Sequence, residues 1–376
     1  MKIIIAPQAF KGSLKAHEVA VAMDEGVKSA FKDSETILLP VADGGEGTVK
    51  AMVESTGGRI VTTKAHGPLG DTVNAGWGVL GDGKTAVIEM AAASGLNLVP
   101  ETKLDAMSAS TRGTGELILA ALEEGFRQII VGLGDSATTD GGSGMAQSLG
   151  IKLLDETGQP ISAGGGGLLN LEHIDITRRH PLIKDCKITC ACDVTNPLCG
   201  PEGAAYVYGP QKGASPEDIK QLDAGLRKLA EVIQRDIGKD ISKIPGGGAA
   251  GGLAAGLVAF LDASLQSGID IVCNAIGFEK HLKDTDLVLT GEGRIDGQTP
   301  RGKTICGIAT RAKKAGVPVV AFAGELGEGY REAYECGINK AVGIMSESMD
   351  REYAMKNASE LIRDAVSRTV RLYSKT

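Results

Sequence analysis

The sequence predicts an α/β protein with two different α/β domains, one discontinuous and built from both chain ends and the other inserted between them. Short β-branched apolar runs alternate with glycine-rich loops and amphipathic helical stretches at both ends of the chain, as in parallel sheets covered by helices. Segments in the middle instead alternate in the way that favours antiparallel strands. The length of 376 residues suits two or three domains at roughly 100–200 residues each.

The two chain ends contribute strand and helix units of the same kind. The first part predicts strands at residues 3–6 and 36–40 and helices at 13–31 and 46–55. The last part predicts strands at residues 286–290, 317–321 and 341–344 and helices at 304–314, 330–336 and 351–373. These segments define the discontinuous domain, residues 1–65 plus 285–376.

The middle of the chain defines the inserted domain, residues 66–284, and the pattern changes just before it. Antiparallel strands are predicted at residues 59–64, 72–79 and 85–89, with a Gly-Asp-Gly turn at 81–83 between the last two. The pattern continues with helices at 115–124, near 144 and at 216–237, and with strands at 128–132 and 187–192.

The composition excludes several classes of protein. Glycine is frequent, 53 of 376 residues, but has no three-residue period, which excludes collagen. The net charge of −7 argues against general binding to nucleic acid or to anionic membranes. No apolar run approaches about 18 residues, and the first residues form no signal-peptide core, so we predict a cytoplasmic protein. The seven cysteines suggest reduced thiols, and we expect no disulfide bond.

Two helix openings near the N-terminus carry candidate ligands. Lys11 and Ser13 follow the first strand, where a cation and a hydroxyl at a helix start would suit a phosphate, although a helix cap beside a solvated lysine explains them equally well. Asp43 and Glu46 follow the second strand within a glycine-rich turn. Their negative charge suits Mg²⁺ or substrate hydroxyls better than phosphate, and helix-start acids are the structural alternative.

Two loops of the inserted domain carry candidate substrate ligands. Arg112 lies among hydroxyl residues at a helix start, where it could clamp a carboxylate or phosphate, or could be a surface arginine. Asp193 and Asn196 follow a predicted strand and would emerge at the carboxyl edge of the sheet, where α/β sites lie. Asp193 is a candidate general base and Asn196 a hydroxyl or metal ligand, with an Asx-Pro turn as the alternative.

The loop after the strand at 286–290 holds further charged candidates. Glu292, Arg294 and Asp296 come first, and residues 297–304 then fit the Walker A spelling. A P-loop would follow its strand directly, and here six residues intervene, which argues against that motif. Lys303 and Thr304, at the opening of a helix, remain candidate anion ligands.

Other motif-like spellings fail their structural context. Gly248 and Gly251 belong to a G-x-G-x-x-G that polar residues precede instead of a strand, so we interpret it as a loop that closes over a nucleotide and not as a dinucleotide fingerprint. The cysteines at 186, 190, 192 and 199 lack paired C-x₂-C spacing, which favours packing over zinc. No histidine lies near a serine elbow, so phosphoryl transfer fits better than hydrolysis.

An ordered set of short motifs resembles the bacterial type I glycerate kinases. The motifs run along nearly the whole chain: Phe-Lys-Gly-Ser-Leu at 10–14, Pro-Val-Ala-Asp-Gly-Gly-Glu-Gly-Thr at 40–48, Ser-Thr-Arg-Gly-Thr-Gly-Glu-Leu at 110–117, Cys-Asp-Val-Thr-Asn-Pro-Leu at 192–198, Gly-Pro-Gln-Lys-Gly-Ala at 209–214 and Thr-Gly-Glu-Gly-Arg-Ile-Asp at 290–296. The resemblance implies phosphorylation of D-glycerate by ATP, at the 2-hydroxyl, and a two-domain fold whose inserted part is flavodoxin-like. It also makes the loop around Ser136 a phosphate loop, although that loop carries an extra charge here.

The resemblance leads to a hypothesis for the reaction, which depends on positioning and charge neutralisation. Asp193, in preference to Asp296, takes the hydroxyl proton, and Arg112 or Arg294 holds the substrate carboxylate. Phosphates are neutralised by two lysines, Lys11 and Lys303. Mg²⁺ is held by one of three acids, Asp43, Glu46 or Glu292. The remaining candidates are Ser13 and Asn196 for substrate, and Thr304, Ser136, Gly248 and Gly251 for nucleotide.

Two alternatives stay open from the sequence alone. One is a kinase for another small hydroxy acid or sugar acid, and the other is a non-catalytic regulator that binds a nucleotide or metabolite. The partners expected are ATP and the small-molecule substrate, with no nucleic acid and no membrane. A homodimer is compatible with the sequence, which does not define an oligomeric state.

Overall fold

The structure is a computed structural model that describes residues 1–42, 44–45, 47–300, 304–346 and 349–373. The chain divides into two compact units. Unit 1 comprises Met1–Asp43, Lys50–Thr56 and Gly268–Thr376, and unit 2 comprises Gly44–Val49 and Gly57–Ser267. Both units combine parallel strands with helices, which confirms the predicted α/β class. Among the described residues, no helix combines the length and the apolar character needed to span a bilayer.

The described residues form thirteen β-strands and thirteen α-helices. The strands are β1 (Lys2–Pro7), β2 (Glu35–Leu38), β3 (Arg59–His66), β4 (Thr72–Val79), β5 (Thr85–Glu89), β6 (Gln128–Gly132), β7 (Lys152–Leu154), β8 (His173–Asp175), β9 (Lys187–Ala191), β10 (Ser264–Gln266), β11 (Leu287–Ile295), β12 (Val319–Leu326) and β13 (Lys340–Gly343). The α-helices are α1 (Ala16–Ala30), α2 (Thr48–Thr56), α3 (Ala91–Ser94), α4 (Arg112–Glu123), α5 (Ser143–Ser148), α6 (Ala204–Tyr208), α7 (Pro216–Asp236), α8 (Leu253–Leu261), α9 (Gly268–Ile276), α10 (Phe278–His281), α11 (Thr304–Lys314), α12 (Arg351–Lys356) and α13 (Ala358–Val370).

Unit 1 is built on a five-stranded parallel sheet with the order β13-β12-β11-β1-β2. Ile3, Ile4 and Ile5 of β1 are fully buried, as expected of a strand covered by helices on both faces. Counted within the unit, this order is 2-1-3-4-5, the flavodoxin-like order. The prediction assigned that order to the inserted domain. It was wrong on this point because the order depends on the pairing of β1 with β11, which lies far along the chain.

Unit 2 is built on a six-stranded mixed sheet with the order β10-β9-β6-β5-β4-β3. Strands β5, β6, β9 and β10 are parallel, and β4 and β3 extend the sheet in antiparallel pairing. Trp77 of β4 is fully buried and packs edge-on against Phe126, with ring centroids 5.7 Å apart. Because β5, β6, β9 and β10 are parallel, their carboxyl ends lie at one edge of the sheet.

The predicted domain boundaries, 1–65 plus 285–376 and 66–284, differ from the two units at both junctions. Strand β3 pairs with β4 along its whole length, from Arg59 opposite Val79 to His66 opposite Thr72, so residues 59–65 belong to unit 2. Residues 268–284, predicted for the inserted domain, belong to unit 1. There α9 packs closely on α11, since a Cβ added to Gly307 would lie 2.6 Å from Cγ1 of Ile269.

One expectation about the cysteines is wrong. Cys306 of α11 and Cys336, at the end of the 3-10 helix Tyr330–Cys336, form a disulfide bond with their Cα atoms 5.2 Å apart. Thirty residues separate them in sequence. The packing of the two helices brings the thiols within bonding reach, and spacing along the chain carries no such information.

The disulfide gives a direct prediction for the thiol content of the protein. When the protein is unfolded without a reductant, titration with a thiol reagent is expected to detect five thiols per chain, because five cysteines are free. After reduction the same titration is expected to detect all seven cysteines. Seven thiols before reduction would show that Cys306 and Cys336 are not bonded.

Candidate active site

The carboxyl ends of three parallel strands form a level row in unit 2. Glu89 of β5 pairs with Gly132 of β6, and Gly132 pairs with Ala191 of β9. The loops that follow these strands therefore start side by side. This is the edge of a parallel sheet at which ligands bind in open α/β folds.

A chain segment that starts at Gly44 and ends at Val49 contacts this row of strand ends through its first and last residues. A Cβ added to Gly132 would lie 2.5 Å from the carbonyl oxygen of Gly44, and one added to Gly44 would lie 2.7 Å from Cβ of Ala191. Gly44 also has a φ of +93°, which side chains rarely adopt. Glu89 fixes the far end of the segment, since its Oε1 accepts a hydrogen bond from the N–H of Val49 at 2.6 Å. Gly44 thus brings backbone rather than a side chain to the strand ends.

Asp193 emerges at the carboxyl end of β9, as the sequence predicts. The backbone of β9 stays bonded to its neighbour as far as Cys192, whose N–H donates to the carbonyl of Gln266 at 2.9 Å. Asp193 follows directly and is exposed. Burial raises the pKa of the Cys192 thiol, and the Asp193 carboxylate raises it further. This thiol therefore stays protonated at neutral pH, and Asp193 supplies the negative charge at this strand end.

Asn196 is engaged within its own loop. Its Nδ2 donates to the carbonyl of Glu202 at 2.8 Å, and its Oδ1 accepts from the hydroxyl of Tyr208 at 2.8 Å. Both ends of the amide therefore hold the loop in shape. The substrate role predicted for Asn196 stays a prediction, and the contacts indicate a loop-shaping role.

The glycine run that contains Gly248 and Gly251 is buried rather than open. A Cβ on Gly248 would lie 2.3 Å from the carbonyl oxygen of Pro197, and one on Gly251 would lie 1.9 Å from that of Thr138. The run therefore packs against the loop after β9 and the loop after β6 at once. These close approaches explain the glycines, and they differ from the nucleotide-covering loop expected from the sequence.

Arg112 is the first residue of α4, and its side chain is 55% exposed. Its Nε donates to Oε1 of Glu116, one turn further along the helix, at 3.0 Å. The same carboxylate accepts from the backbone N–H of His66 at 2.8 Å, and His66 Nδ1 lies 2.7 Å from it. Glu116 therefore orients the guanidinium while leaving it at the surface of the helix start.

The loop between β6 and α5 contains Ser136 and depends on a residue that the sequence analysis did not single out. Lys212 is buried, and its Nζ donates to Ser136 Oγ at 2.8 Å and to the carbonyl of Thr138 at 2.5 Å. Burial lowers the pKa of Lys212 to about 7, against the opposing effect of the Asp140 carboxylate. The signal available in the sequence was the Gly-Pro-Gln-Lys-Gly run at 209–213, which carries a charge among residues that favour a tight turn.

In unit 1, the loop with Lys11 lies against β11. A Cβ on Gly293 would lie 3.5 Å from the backbone nitrogen of Lys11, while the Lys11 side chain is exposed. Ser13 does not cap α1, because the helix begins at Ala16 and Ser13 instead donates to the carbonyl of Met355 at 2.6 Å. The loop therefore presents a lysine beside the strand that carries Glu292 and Arg294.

Glu292, Arg294 and Asp296 form a small network at the end of β11. Glu292 is 8% exposed and accepts from the Thr299 hydroxyl at 3.2 Å. Arg294 pairs with Asp296 at 3.3 Å and with Glu325 at 3.6 Å. Asp296 also accepts from the N–H of Gln298 at 2.9 Å, so its carboxylate stabilises this turn.

The remaining predicted ligands divide into one residue that the structure describes and three that it does not. Thr304 begins α11, is 2% exposed, and its hydroxyl has no hydrogen-bond partner among the described residues. Asp43, Glu46 and Lys303 lie outside the described residues. Within the described ranges, no three His, Cys, Asp or Glu side chains are grouped so that they could hold a metal ion. Mg²⁺ usually needs only one or two carboxylates together with substrate phosphates.

Comparison with known proteins gives consistent matches over nearly the whole chain. Residues 3–374 match the model of the glycerate kinase family. The chain is 50% identical to a glycerate kinase of Halalkalibacterium halodurans, with 96% of each chain covered, and 50% identical to the glycerate 2-kinase of Escherichia coli K12, with 96% of this chain and 95% of that protein covered. A crystal structure from Salmonella typhimurium LT2, described provisionally as glycerate kinase 2, matches with a TM-score of 0.91 and 48% identity, covering 99% of this chain and 98% of that one.

Proposed function

The chain belongs to the glycerate kinase family, and from this premise we propose that it transfers the γ-phosphoryl group of ATP to the 2-hydroxyl of D-glycerate. The observation that carries the proposal is the family match across residues 3–374. The activity is that of a phosphotransferase with an alcohol group as acceptor. The name of the relative from Escherichia coli, glycerate 2-kinase, supports the 2-hydroxyl as the site of transfer.

Mg²⁺ is proposed as the ion that accompanies the nucleotide. When bound, it would neutralise charge on the transferred phosphoryl group and on the phosphate left behind. Glu292 is the described candidate ligand, since it is an oxygen donor in a nearly buried position. The candidates Asp43 and Glu46 stay predictions.

Asp193 is our proposed general base. It is an exposed carboxylate directly after β9, at the edge where the ends of β5, β6 and β9 align. Asp296, the competing candidate, is used within its own turn by Gln298 and Arg294. The position of Asp193 at this strand edge favours it as the base that would take the hydroxyl proton of glycerate as the phosphoryl group is transferred.

Arg112 is the arginine that we propose for the substrate carboxylate. Its guanidinium is held by Glu116 through Nε, which leaves the edge formed by its two terminal nitrogens suited to a bidentate contact. Arg294 is paired with two carboxylates, Asp296 and Glu325. The roles of Lys11 and Lys303 with phosphates, and of Ser136 and Thr304 with nucleotide, stay predictions. We also propose that the enzyme acts in the cytoplasm, a location in which a disulfide such as Cys306–Cys336 is uncommon.

The proposal is tested by following ADP formation by the purified protein with ATP, Mg²⁺ and D-glycerate, and by recording the phosphorus NMR spectrum of the product. We expect ADP formation that depends on D-glycerate. In the proton-coupled spectrum, 2-phosphoglycerate gives a doublet because its phosphorus couples to the single C2 proton, whereas 3-phosphoglycerate gives a triplet from the two C3 protons. A triplet would leave the kinase activity intact and refute the 2-hydroxyl.

L-Glycerate and other small hydroxy acids and sugar acids serve as comparison substrates in the same assay. Faster turnover with one of them would favour a kinase with a different acceptor. ATP binding without turnover of any acceptor would favour a non-catalytic regulator and would refute the proposed function.

A further inference from the structure

Lys212 is an unusual residue in the interior of unit 2. It is 1% exposed and ranks in size among the largest fully buried side chains of the described chain. It ends the 3-10 helix Pro210–Lys212. Gly213 follows with a φ of +88°, and a Cβ added to it would lie 2.7 Å from the carbonyl oxygen of Leu104. An ammonium group in such a place is costly unless its partners compensate for the lost water. Its position therefore calls for an explanation beyond packing.

The partners of Lys212 belong to one loop, the β6–α5 loop at residues 133–142. Its Nζ donates to Ser136 Oγ at 2.8 Å and to the carbonyl of Thr138 at 2.5 Å. Asp135, just before these partners, has a φ of +58°, a conformation that residues other than glycine adopt at a cost. The loop shape is thus imposed by its surroundings and not by local preference.

The same loop is held at its other end by a buried carboxylate. Asp140 is fully buried, and its oxygens accept from the N–H and hydroxyl of Thr111 at 2.8 and 2.9 Å and from the N–H groups of Gly142 and Gly144 at 3.0 and 3.2 Å. Thr111 directly precedes Arg112 and α4. Lys212 and Asp140 therefore connect the β6–α5 loop to the helix start that carries the proposed carboxylate ligand.

A third set of contacts fixes the loop from the side of β5. Ser136 forms a bridge with Gly95, and the N–H of Ala137 donates to the carbonyl of Ser94 at 2.9 Å. On its remaining side the N–H of Gly134 donates to the carbonyl of Gly44 at 3.3 Å. Gly44 lies against Ala191, the last residue of β9, and Asp193 follows Ala191 by two residues. The loop is therefore in contact with the segment that covers the row of strand ends.

We propose that Lys212 is a positioning residue for phosphoryl transfer, whose ammonium fixes Ser136 in the β6–α5 loop at the strand edge where Asp193 lies. This inference rests on the proposed function. Lys212 acts through Ser136 and does not touch the reacting groups, since it is buried beneath the loop. The competing explanation is a lysine that only stabilises the fold.

The first test replaces Lys212 by methionine, with Lys220→Met, an exposed lysine on α7, as the matched control. For Lys212→Met we expect kcat to fall at least tenfold while the apparent Tm stays within about 3 °C, because relief of the buried charge offsets the lost hydrogen bonds. Lys220→Met is expected to retain its kcat. A kcat within twofold of the unchanged enzyme for Lys212→Met would overturn the inference, and so would a fall in kcat that only follows a fall in Tm.

The second test uses Ser136→Ala and the double variant. If Lys212 acts through Ser136, the double variant is expected to have the same kcat as the less active of the two single variants. The two effects on kcat are then not multiplicative. Multiplicative effects would overturn the inference. A Ser136→Ala enzyme with kcat within twofold of the unchanged one would also overturn it, and this outcome can be measured even if Lys212→Met fails to fold. Absence of glycerate-dependent turnover by the unchanged protein would reject the proposed function and this inference together.

Discussion

Replacing Asp193 by asparagine is expected to lower kcat by roughly 10²–10⁴, because general-base assistance contributes that much and an amide cannot accept the hydroxyl proton. The exchange keeps the size of the side chain and leaves β9 and the loop to Pro197 in place. Nucleotide affinity is therefore expected to stay near normal. The measurements are kcat from ADP formation with D-glycerate and the Kd of ATP from calorimetry.

The matched control is Asp185→Asn, which removes an exposed carboxylate next to the opposite end of the same strand, β9. That variant is expected to keep its kcat, since its carboxylate lies at the amino edge of the sheet. A loss of less than about tenfold for Asp193→Asn would move the base elsewhere. Asp296 would then be the next candidate for the same exchange.

Replacing Asp140 by alanine is expected to destabilise the protein by about 3–5 kcal/mol, because it leaves several buried donors without an acceptor. The affected donors are the hydroxyl of Ser110, the N–H and hydroxyl of Thr111, and the N–H groups of Gly142 and Gly144. For a unit of this size the apparent Tm should fall by roughly 6–20 °C in scanning calorimetry. Activity should be lost as well, since the α4 start with Arg112 loses its anchor.

Asp140→Asn separates the loss of charge from the loss of shape. Its amide oxygen can still accept the hydrogen bonds that one of the two carboxylate oxygens of Asp140 accepts. The Tm of Asp140→Asn is therefore expected to lie between those of Asp140→Ala and the unchanged protein. A Tm for Asp140→Ala within 2 °C or so of the unchanged value would contradict the anchoring role, because so small a change corresponds to about 1 kcal/mol or less.

Most of the secondary structure could be predicted because it depends on local periodicity. The strands β4, β5 and β6 and the helix α11 have the predicted bounds. The helix predicted over residues 351–373 is instead divided at Asn357 into α12 and α13, followed by a 3-10 turn. Short strands such as β10 were missed, since three residues carry too little pattern.

The sheet to which a strand belongs was harder to predict than the strand itself. Strand β3 was located, but its alternation indicates only one buried face and not the partner that covers it. Its pairing with β4 places residues 59–65 in unit 2. The flavodoxin-like order was likewise assigned to the wrong part of the chain, because it is a property of long-range pairing.

The candidate site was predictable at the level of loops and less so at the level of side chains. Asp193 emerges where a strand-end rule places it. The engagement of Asn196 by Glu202 and Tyr208 depends on how the loop folds back, which spacing does not reveal. Lys212 was missed as a site residue because lysine is rarely buried, and nothing in the sequence shows that its partners Ser136 and Thr138 would surround it.

The pairing of β1 with β11 has a consequence for synthesis on the ribosome. Ile3 lies opposite Leu287, so the edge of β1 that pairs with β11 has no partner until a strand 284 residues later in the chain has been translated. At about 5–20 residues per second, the wait lasts roughly 15–60 s. During that time unit 2 can complete its sheet, while the nascent Ile-Ile-Ile edge of β1 is open to unwanted strand pairing. We therefore expect cotranslational folding of this enzyme to begin with unit 2, which the middle of the chain forms, although β1 of unit 1 is the first strand to leave the exit tunnel.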